Sequence, residues 1–387
     1  MRSVFVGAVS GAALAGSAFA DAGEHSSRFD WVDLSVAGRL QFDALSAQGL
    51  NGVDVNEGFV RRVETFFVFD FANDVRLRVQ PIWIPSAEEA RFNDLFLQFK
   101  LGDTQFRVGH FQHLTLDQAT SAALIFDQER FGGTEAFDVS RKLGAMASWT
   151  EVNRSLDVAI TGQPLHAAND ALDNQWAVSA RGTWQPIIEF EKVLHLGGNI
   201  RLRDSGSDDA GFRYRARPGF REVGRYLDTD HAGSPLRGDP ATSDIMVGGE
   251  VAWSHGPLLV SFEGYRTSVL EGADYAADAA DLNIGWHLTG EHHAIRRGRI
   301  LRPKPKHAFD DGGFGAVQIK TSLEWLNLTN NGVEGGTQLT VKSGFGWTLN
   351  ETIRIYAEHV YSDIDGGDGD VFNGDTQALQ IRVGLDF

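Results

Sequence analysis

Near the end of the chain, Leu379, Ile381, Val383, Leu385 and Phe387 fall on one parity, and Gln380, Arg382, Gly384 and Asp386 on the other. Successive side chains of a strand point to opposite faces, so this period of two predicts a strand with one apolar and one polar face. The same period recurs at 93–101, where Leu95, Leu97, Phe99 and Leu101 oppose Asp94, Gln98 and Lys100. It recurs again at 317–325, where Val317, Ile319, Leu323 and Trp325 oppose Gln318, Lys320, Ser322 and Glu324. Further runs lie at 34–45, 60–71, 75–84, 105–111, 143–150, 155–161, 176–184, 194–203, 245–254, 258–269, 281–288, 337–347 and 352–362. The result is about sixteen strands, each roughly long enough to cross a membrane at a tilt.

Alternation alone suits a soluble sandwich as well as a membrane barrel, and the start of the chain separates them. Arg2 precedes an apolar stretch at 4–15 and the small-x-small pattern Ala18-Phe19-Ala20, which predicts a cleaved export leader over 1–20 and a barrel domain over 21–387. Connection lengths agree. Short turns at 72–74, 102–104, 151–154, 254–257 and 348–351 share one parity, while longer loops around 46–58, 112–142, 204–243 and 364–376 share the other, as in outer-membrane barrels. The connection at 289–314 breaks this rule: it lies on the short-turn side yet carries Arg296, Arg297, Arg299, Arg302, Lys304 and Lys306. It reads either as a disordered basic loop or as a turn folded into the lumen. The expected fold is therefore all-β, a transmembrane antiparallel β-barrel of about 16 strands with inward-folded loops.

Composition removes several alternatives. With no cysteine there is no disulfide, thiolate metal site or cysteine nucleophile. Thirty-five basic against 52 acidic residues, a formal charge of −17, argue against a nucleic-acid partner held by a basic surface. His292-His293 has no convincing metal-ligand spacing and no Gly-x-Ser-x-Gly elbow occurs, so no enzyme and no cofactor is expected. The acidic, glycine-rich stretch 363–370 lacks the EF-hand pattern and reads as a solvated loop.

Net charge does not fix the sign inside a pore, and arginine is the natural lining for an anion path. It stays charged and offers a planar fork of donors to oxyanions. Arg213, Arg215 and Arg217 recur at period two in an extended stretch, 211–217, which is assigned to a loop because counting it as a strand would make the total odd. Their three guanidinium groups then project to one side.

In Phe59-Val60-Arg61-Arg62, Asn93-Asp94-Leu95-Phe96-Leu97, Val108-Gly109-His110-Phe111, Phe126-Asp127-Gln128-Glu129-Arg130, Phe212-Arg213-Tyr214-Arg215-Ala216-Arg217-Pro218, Leu288-Thr289-Gly290-Glu291, Arg302-Pro303-Lys304 and the terminal Phe387, the chain resembles the phosphate-selective porin family, porin O and porin P. The resemblance implies a homotrimer of barrels in the outer membrane of a Gram-negative bacterium. Each barrel is narrowed by inward-folded segments, with an arginine ladder leading phosphate or other small anions to a constriction. It matches Arg213, Arg215 and Arg217 to the ladder, Arg61 and Arg62 to a paired-arginine motif, and Asp94 and Arg130 to the constriction. Alternation complicates the pair, since neighbours on a strand face opposite sides; Arg62, sharing a face with Glu64 and Asp70, is the better lumen candidate. Asp94 could accept a proton from a protonated oxyanion while nearby cations offset its charge. The resemblance further implies that the insertion machinery recognises Phe387, and lipid surrounds the barrel. The chain departs from the family at Gln112, where a lysine is usual, with His113 beside it. That departure keeps open a weakly selective diffusion porin and, from another class, an exported β-rich adhesin or binding protein.

Overall fold

A computed structural model describes residues 25–29, 31–112, 128–166, 175–296 and 298–387. The leader expected over 1–20, His113, Phe126, Asp127 and Arg297 lie outside them. Sixteen antiparallel strands close into one barrel: β1 (Val32–Gln48), β2 (Asp54–Phe71), β3 (Val75–Ile84), β4 (Glu89–Leu101), β5 (Thr104–Phe111), β6 (Lys142–Thr150), β7 (Arg154–Thr161) and β8 (Trp176–Ile188). The circuit continues through β9 (Lys192–Asp204), β10 (Ser243–His255), β11 (Leu258–Glu271), β12 (Ala276–His287), β13 (Ala316–Asn330), β14 (Val333–Thr348), β15 (Ile353–Gly366) and β16 (Phe372–Asp386). Each strand pairs with its sequence neighbour, and β1 closes the circuit by pairing with β16 from Arg39 opposite Asp386 to Gln48 opposite Gln377.

The alternation read from the sequence becomes an inside and an outside. Buried Arg39, Gln41, Asp43, Gln380 and Arg382 face the lumen, and Phe42, Leu379 and Ile381 face out, left uncovered by the protein. Without water in the surrounding lipid, closure satisfies every strand's backbone and leaves no open edge. Exposed Trp149, Trp184 and Trp286 ring the turn side and Trp83, Trp176 and Trp325 the loop side, the aromatic girdles of a membrane barrel.

Two expectations shift. The loops placed around 46–58 and 364–376 shrink to 49–53 and 367–371, because β1, β2 and β15 run past the apolar band where the alternation is no longer apolar against polar. A short strand, His25–Phe29, was not expected; it pairs with the foot of β1 from Val32 to Val36, beyond the last residues of β16. The stretch 211–217 stays out of the wall: Arg215–Ala216 pairs with Leu227–Asp228 in a separate two-stranded ribbon.

The seam is locked by the last residue. Gly38 N–H donates to the Phe387 carbonyl at 2.5 Å and Phe387 N–H returns a bond to Gly38 O at 3.0 Å. The Phe387 ring covers Gly38 so closely that a Cβ there would stand 2.4 Å from it. Gly38→Val should therefore displace the ring and cost about 1–3 kcal/mol by overpacking. The check is heat-modifiable gel migration, in which Gly38→Val should convert to the unfolded band at a lower temperature than wild type; an unchanged conversion temperature would rule out the lock.

Candidate functional site in the barrel lumen

In the connection after β5, the described residues 128–141 lie inside the barrel and are fastened to its inner wall. Arg382 on β16 donates to the Gln128 carbonyl at 2.7 Å, Gln128 Nε2 donates to Gln380 O at 3.0 Å, and Lys342 Nζ donates to Glu129 O at 3.2 Å. A single helical turn, Gly132–Ala136, then lies against β12 and β13, where a Cβ on Gly133 would meet Ala279 Cβ at 2.5 Å. Fully buried Phe131 and Phe137 complete the anchor in an apolar cluster with Tyr214 and Tyr265. Burial of such rings adds holding energy at roughly 25 cal/mol per Å² of apolar surface.

Docking this segment places two carboxylates in the lumen, each among three arginines. Glu129 pairs with Arg61 at 3.0 Å, Arg221 at 2.9 Å and Arg382 at 3.1 Å. Glu135 pairs with Arg217 at 2.5 Å, Arg225 at 3.1 Å and Arg130 at 3.6 Å. Burial alone would raise both carboxyls, but the guanidinium groups outweigh it, holding Glu129 well below the ordinary range and Glu135 below it. Each cluster keeps an excess of positive charge.

Arg61 reaches Glu129 through a local irregularity. In the β1–β2 ladder Gln41 faces Arg62 and the next residue, Phe42, faces Val60, which leaves Arg61 as the extra residue of a β-bulge. Both arginines are therefore buried on the lumen side, and the preference for Arg62 over Arg61 drawn from strict alternation is corrected. Arg62 instead pairs within its own strand, with Glu64 at 3.2 Å.

The 211–217 stretch obeys period two. Phe212, Tyr214 and Ala216 are buried in the apolar cluster, and the Tyr214 hydroxyl donates to Asp244 Oδ2 at 2.8 Å. The opposite parity carries the arginines: Arg213 is held by Asp228 at 2.5 Å and Asp230 at 3.1 Å, Arg217 by Glu135, and Arg215 makes no ion pair with the described residues. Two cavities open on this side. One, about 710 Å³, is bordered by seven cations, among them Arg213, Arg215 and Arg203, against four carboxylates. The other, about 690 Å³, is bordered by eight arginines, among them Arg61, Arg62, Arg141, Arg217 and Arg221, against four carboxylates. Arg130, Glu135, Asp138 and Arg225 border both, so the Glu135 cluster is their common wall.

The remaining candidates divide. Asp94 bridges Arg141 at 2.6 Å and Arg78 at 3.2 Å, so its carboxylate already neutralises cations of the wall. The long turn-side connection folds back inside: Ile295 and Ile300 pack on Val193, Ala252 and Leu259, and Arg302 pairs with Asp386. Lys304 corrects its expectation, because it is 62% exposed and pairs with Glu351 of the β14–β15 turn at 2.9 Å, at the rim rather than within the lumen. Gln112, the departure from the family pattern, borders the second cavity. Sequence reasoning missed Arg78, Arg107, Arg141, Arg221 and Arg225. The last two follow the ladder in the same basic stretch and could have been found there, whereas the wall arginines become a group once the barrel closes.

Glu129 joins the segment to the wall, so Glu129→Gln should leave three guanidinium groups around a neutral amide, with Asp43 still paired to Arg382 at 2.6 Å but not to Arg221. Breaking such a buried pairing costs about 3 kcal/mol or more. Because the Glu129 carboxyl lies below its ordinary value of 4.5 in the folded state, its contribution is complete above that pH and is lost as pH falls through the depressed value. The expected outcome is faster proteolysis of the inward segment in detergent for Glu129→Gln at pH 7, and for wild type only in strongly acidic buffer. Equal resistance of variant and wild type would contradict this anchor.

Comparison with known proteins agrees with the geometry. Residues 37–387 match the family described as phosphate-selective porin O and P. Porin O of Pseudomonas aeruginosa is 26% identical over 308 residues, covering 71% of this chain and 66% of that protein. An uncharacterized protein of Caulobacter vibrioides is also 26% identical, over 313 residues, 76% of this chain and 61% of its own. The aligned part of the chain thus spans under two thirds of the length of these relatives. Among solved structures, OmpF of Salmonella typhi superposes with a TM-score of 0.57 at 10% identity, over 94% of this chain and all of that one. An anion-selective porin from Comamonas acidovorans gives 0.55 at 10%, over 92% of this chain and all of that one, a likeness of fold alone. The chain belongs to the phosphate-selective porin O and P family.

Proposed function

We propose that the barrel is a passive, anion-selective pore, with phosphate as its leading solute, working as a homotrimer. Membership of the porin O and P family supports reading it as an outer-membrane channel. The observation that carries the reading is the pair of arginine-bordered cavities meeting at Glu135 and its three arginines. An anion that leaves bulk water there exchanges hydration for guanidinium donors, and the row of arginines lets it pass from one to the next without a single deep well. Export through a cleaved leader, insertion by the barrel machinery through Phe387 and a surrounding of outer-membrane lipid belong to the same proposal.

A weakly selective diffusion porin is the competing reading, favoured by Gln112 in place of a lysine and by carboxylates such as Asp209 and Glu222 along the cavity walls. Arg215 separates the two, because it lacks an ion pair among the described residues and its removal orphans no carboxylate. Phosphate titrated against chloride current in planar bilayers should block the wild-type channel. In Arg215→Ala, with folding unchanged, the half-blocking concentration should rise roughly threefold, the equivalent of about 0.7 kcal/mol. Absence of phosphate block in both proteins would favour the weakly selective pore.

A further inference from the structure

The long turn-side connection is rooted in a pair of imidazoles. His287, the last residue of β12, faces the lumen, and the chain then bends at Gly290, whose φ is +83° and whose N–H donates to His287 O at 3.2 Å. The bend brings His293 back over the end of the strand it has just left. The two rings lie 4.5 Å apart, centre to centre, and both residues are buried. Gln318 of β13 donates an amide N–H to His293 Nε2 at 3.4 Å. His293 Nδ1 and both ring nitrogens of His287 have no hydrogen-bond partner among the described residues.

Charge around the pair is sparse. Glu291 Oε2 stands 3.8 Å from His287 Nδ1, but this carboxylate is engaged, accepting the Thr289 hydroxyl and, at 3.0 Å, the Lys306 backbone N–H. The Lys306 ammonium is tied to the Gly290 carbonyl, and the His292 ring lies against Phe190, 4.7 Å between centres. Among the described residues, the titratable groups that act on His293 are His287 and His292, and burial together with these two imidazoles pushes its ring down to about 3. One carboxylate thus faces two imidazoles. A proton on His287 has Glu291 to answer it. A second, on His293, meets a neighbouring cation and, at Nε2, an N–H donor.

From this seat the connection runs to a small hairpin, Ile295–Arg296 paired with Arg299–Ile300, which Arg181 holds through the Gly298 carbonyl at 2.8 Å and Gln185 through the Ile295 carbonyl at 3.0 Å. We propose that His287 and His293 form an acid-sensitive latch, which keeps the turn-side connection docked in the lumen at neutral pH and releases it when His293 takes up a proton. The latch does not depend on which ion the pore prefers. An imidazole released into water titrates at about 6.5. Because the docked His293 lies below that value, docking is at full strength above it and weakens as pH falls below it, by up to about tenfold per pH unit.

The test is the full-length channel in planar bilayers, with both compartments taken from about pH 7.5 to about 4.5, across the ordinary imidazole value. Wild type should step to a larger single-channel conductance as the connection leaves the lumen. Over the same range in detergent, the buried Glu291 should become open to a glutamate-specific protease. His293→Gln, neutral throughout, should keep the smaller conductance and resist cleavage, whereas His293→Lys should show the larger conductance already at neutral pH. If His293→Gln yields no heat-modifiable barrel, His293→Asn takes its place under the same expectations. A wild-type conductance and cleavage pattern that stay flat across this range overturn the latch. So does a His293→Gln channel that follows the wild-type titration, or a His293→Lys channel that matches wild type at neutral pH.

Discussion

Two carboxylates on one inward-folded segment each gather three arginines, one of them, Arg382, shared with Asp43 of the wall, and the shape and sign of the lumen depend on them. At about 4 Å and an effective dielectric of 20, each like-charged pair is worth roughly 4 kcal/mol of repulsion, so a group of three guanidinium ions gathers where a carboxylate sits among them. Glu129 and Glu135 do this from the same short stretch. Glu129 ties the β1–β2 bulge, the β16 wall and the segment after the ladder to one point. Glu135 gathers Arg130, Arg217 and Arg225 at the wall between the cavities. Neutralisation is partial in both, and on this excess positive charge the proposed anion selectivity rests, in a chain whose overall charge is −17.

The barrel is used asymmetrically. Along β13 to β16 the lumen face is filled by closed pairs, Lys320 with Glu358 at 2.5 Å and Lys342 with Glu324, together with the aromatic cluster that receives the segment. These charges satisfy one another and make a rigid seat. The opposite half, β2 to β9, carries Arg61, Arg62, Arg78, Arg107, Arg181, Arg201 and Arg203 on its lumen face, and the cavities lie there. The inward segment and the ladder loop thus narrow a wide barrel from the side of the aromatic cluster, while the turn-side hairpin packs against β8 to β11.

How much of this was legible in the sequence follows from the range of each interaction. The barrel was legible because a period of two needs no partner to be read, and the strand assigned at the C-terminus has the faces expected of Gln380 and Ile381. The ladder was legible for the same reason, since Phe212, Tyr214 and Ala216 alternate with its arginines. Strand ends beyond the apolar band were not, as Ile353–Gly366 shows, because outside lipid both faces become polar while pairing continues. The inward side chain of Arg61 was hidden by a bulge, which shifts parity by one residue without a residue type that announces it. Arg78 and Asp94 meet across neighbouring strands, Arg141 reaches Asp94 from the end of the inward connection, and Lys304 stands at the rim because its partner, Glu351, comes from a different turn. Neither fact resides in local sequence.

The account as a whole rests on the sign of the lumen, and the reversal potential of the purified wild-type channel under a KCl gradient measures that sign directly. An arginine-bordered path with partly neutralised clusters predicts a reversal potential on the anion side, persisting at neutral pH and diminishing as salt screens the clusters. A potential near zero, or on the cation side, in a correctly folded channel would contradict it.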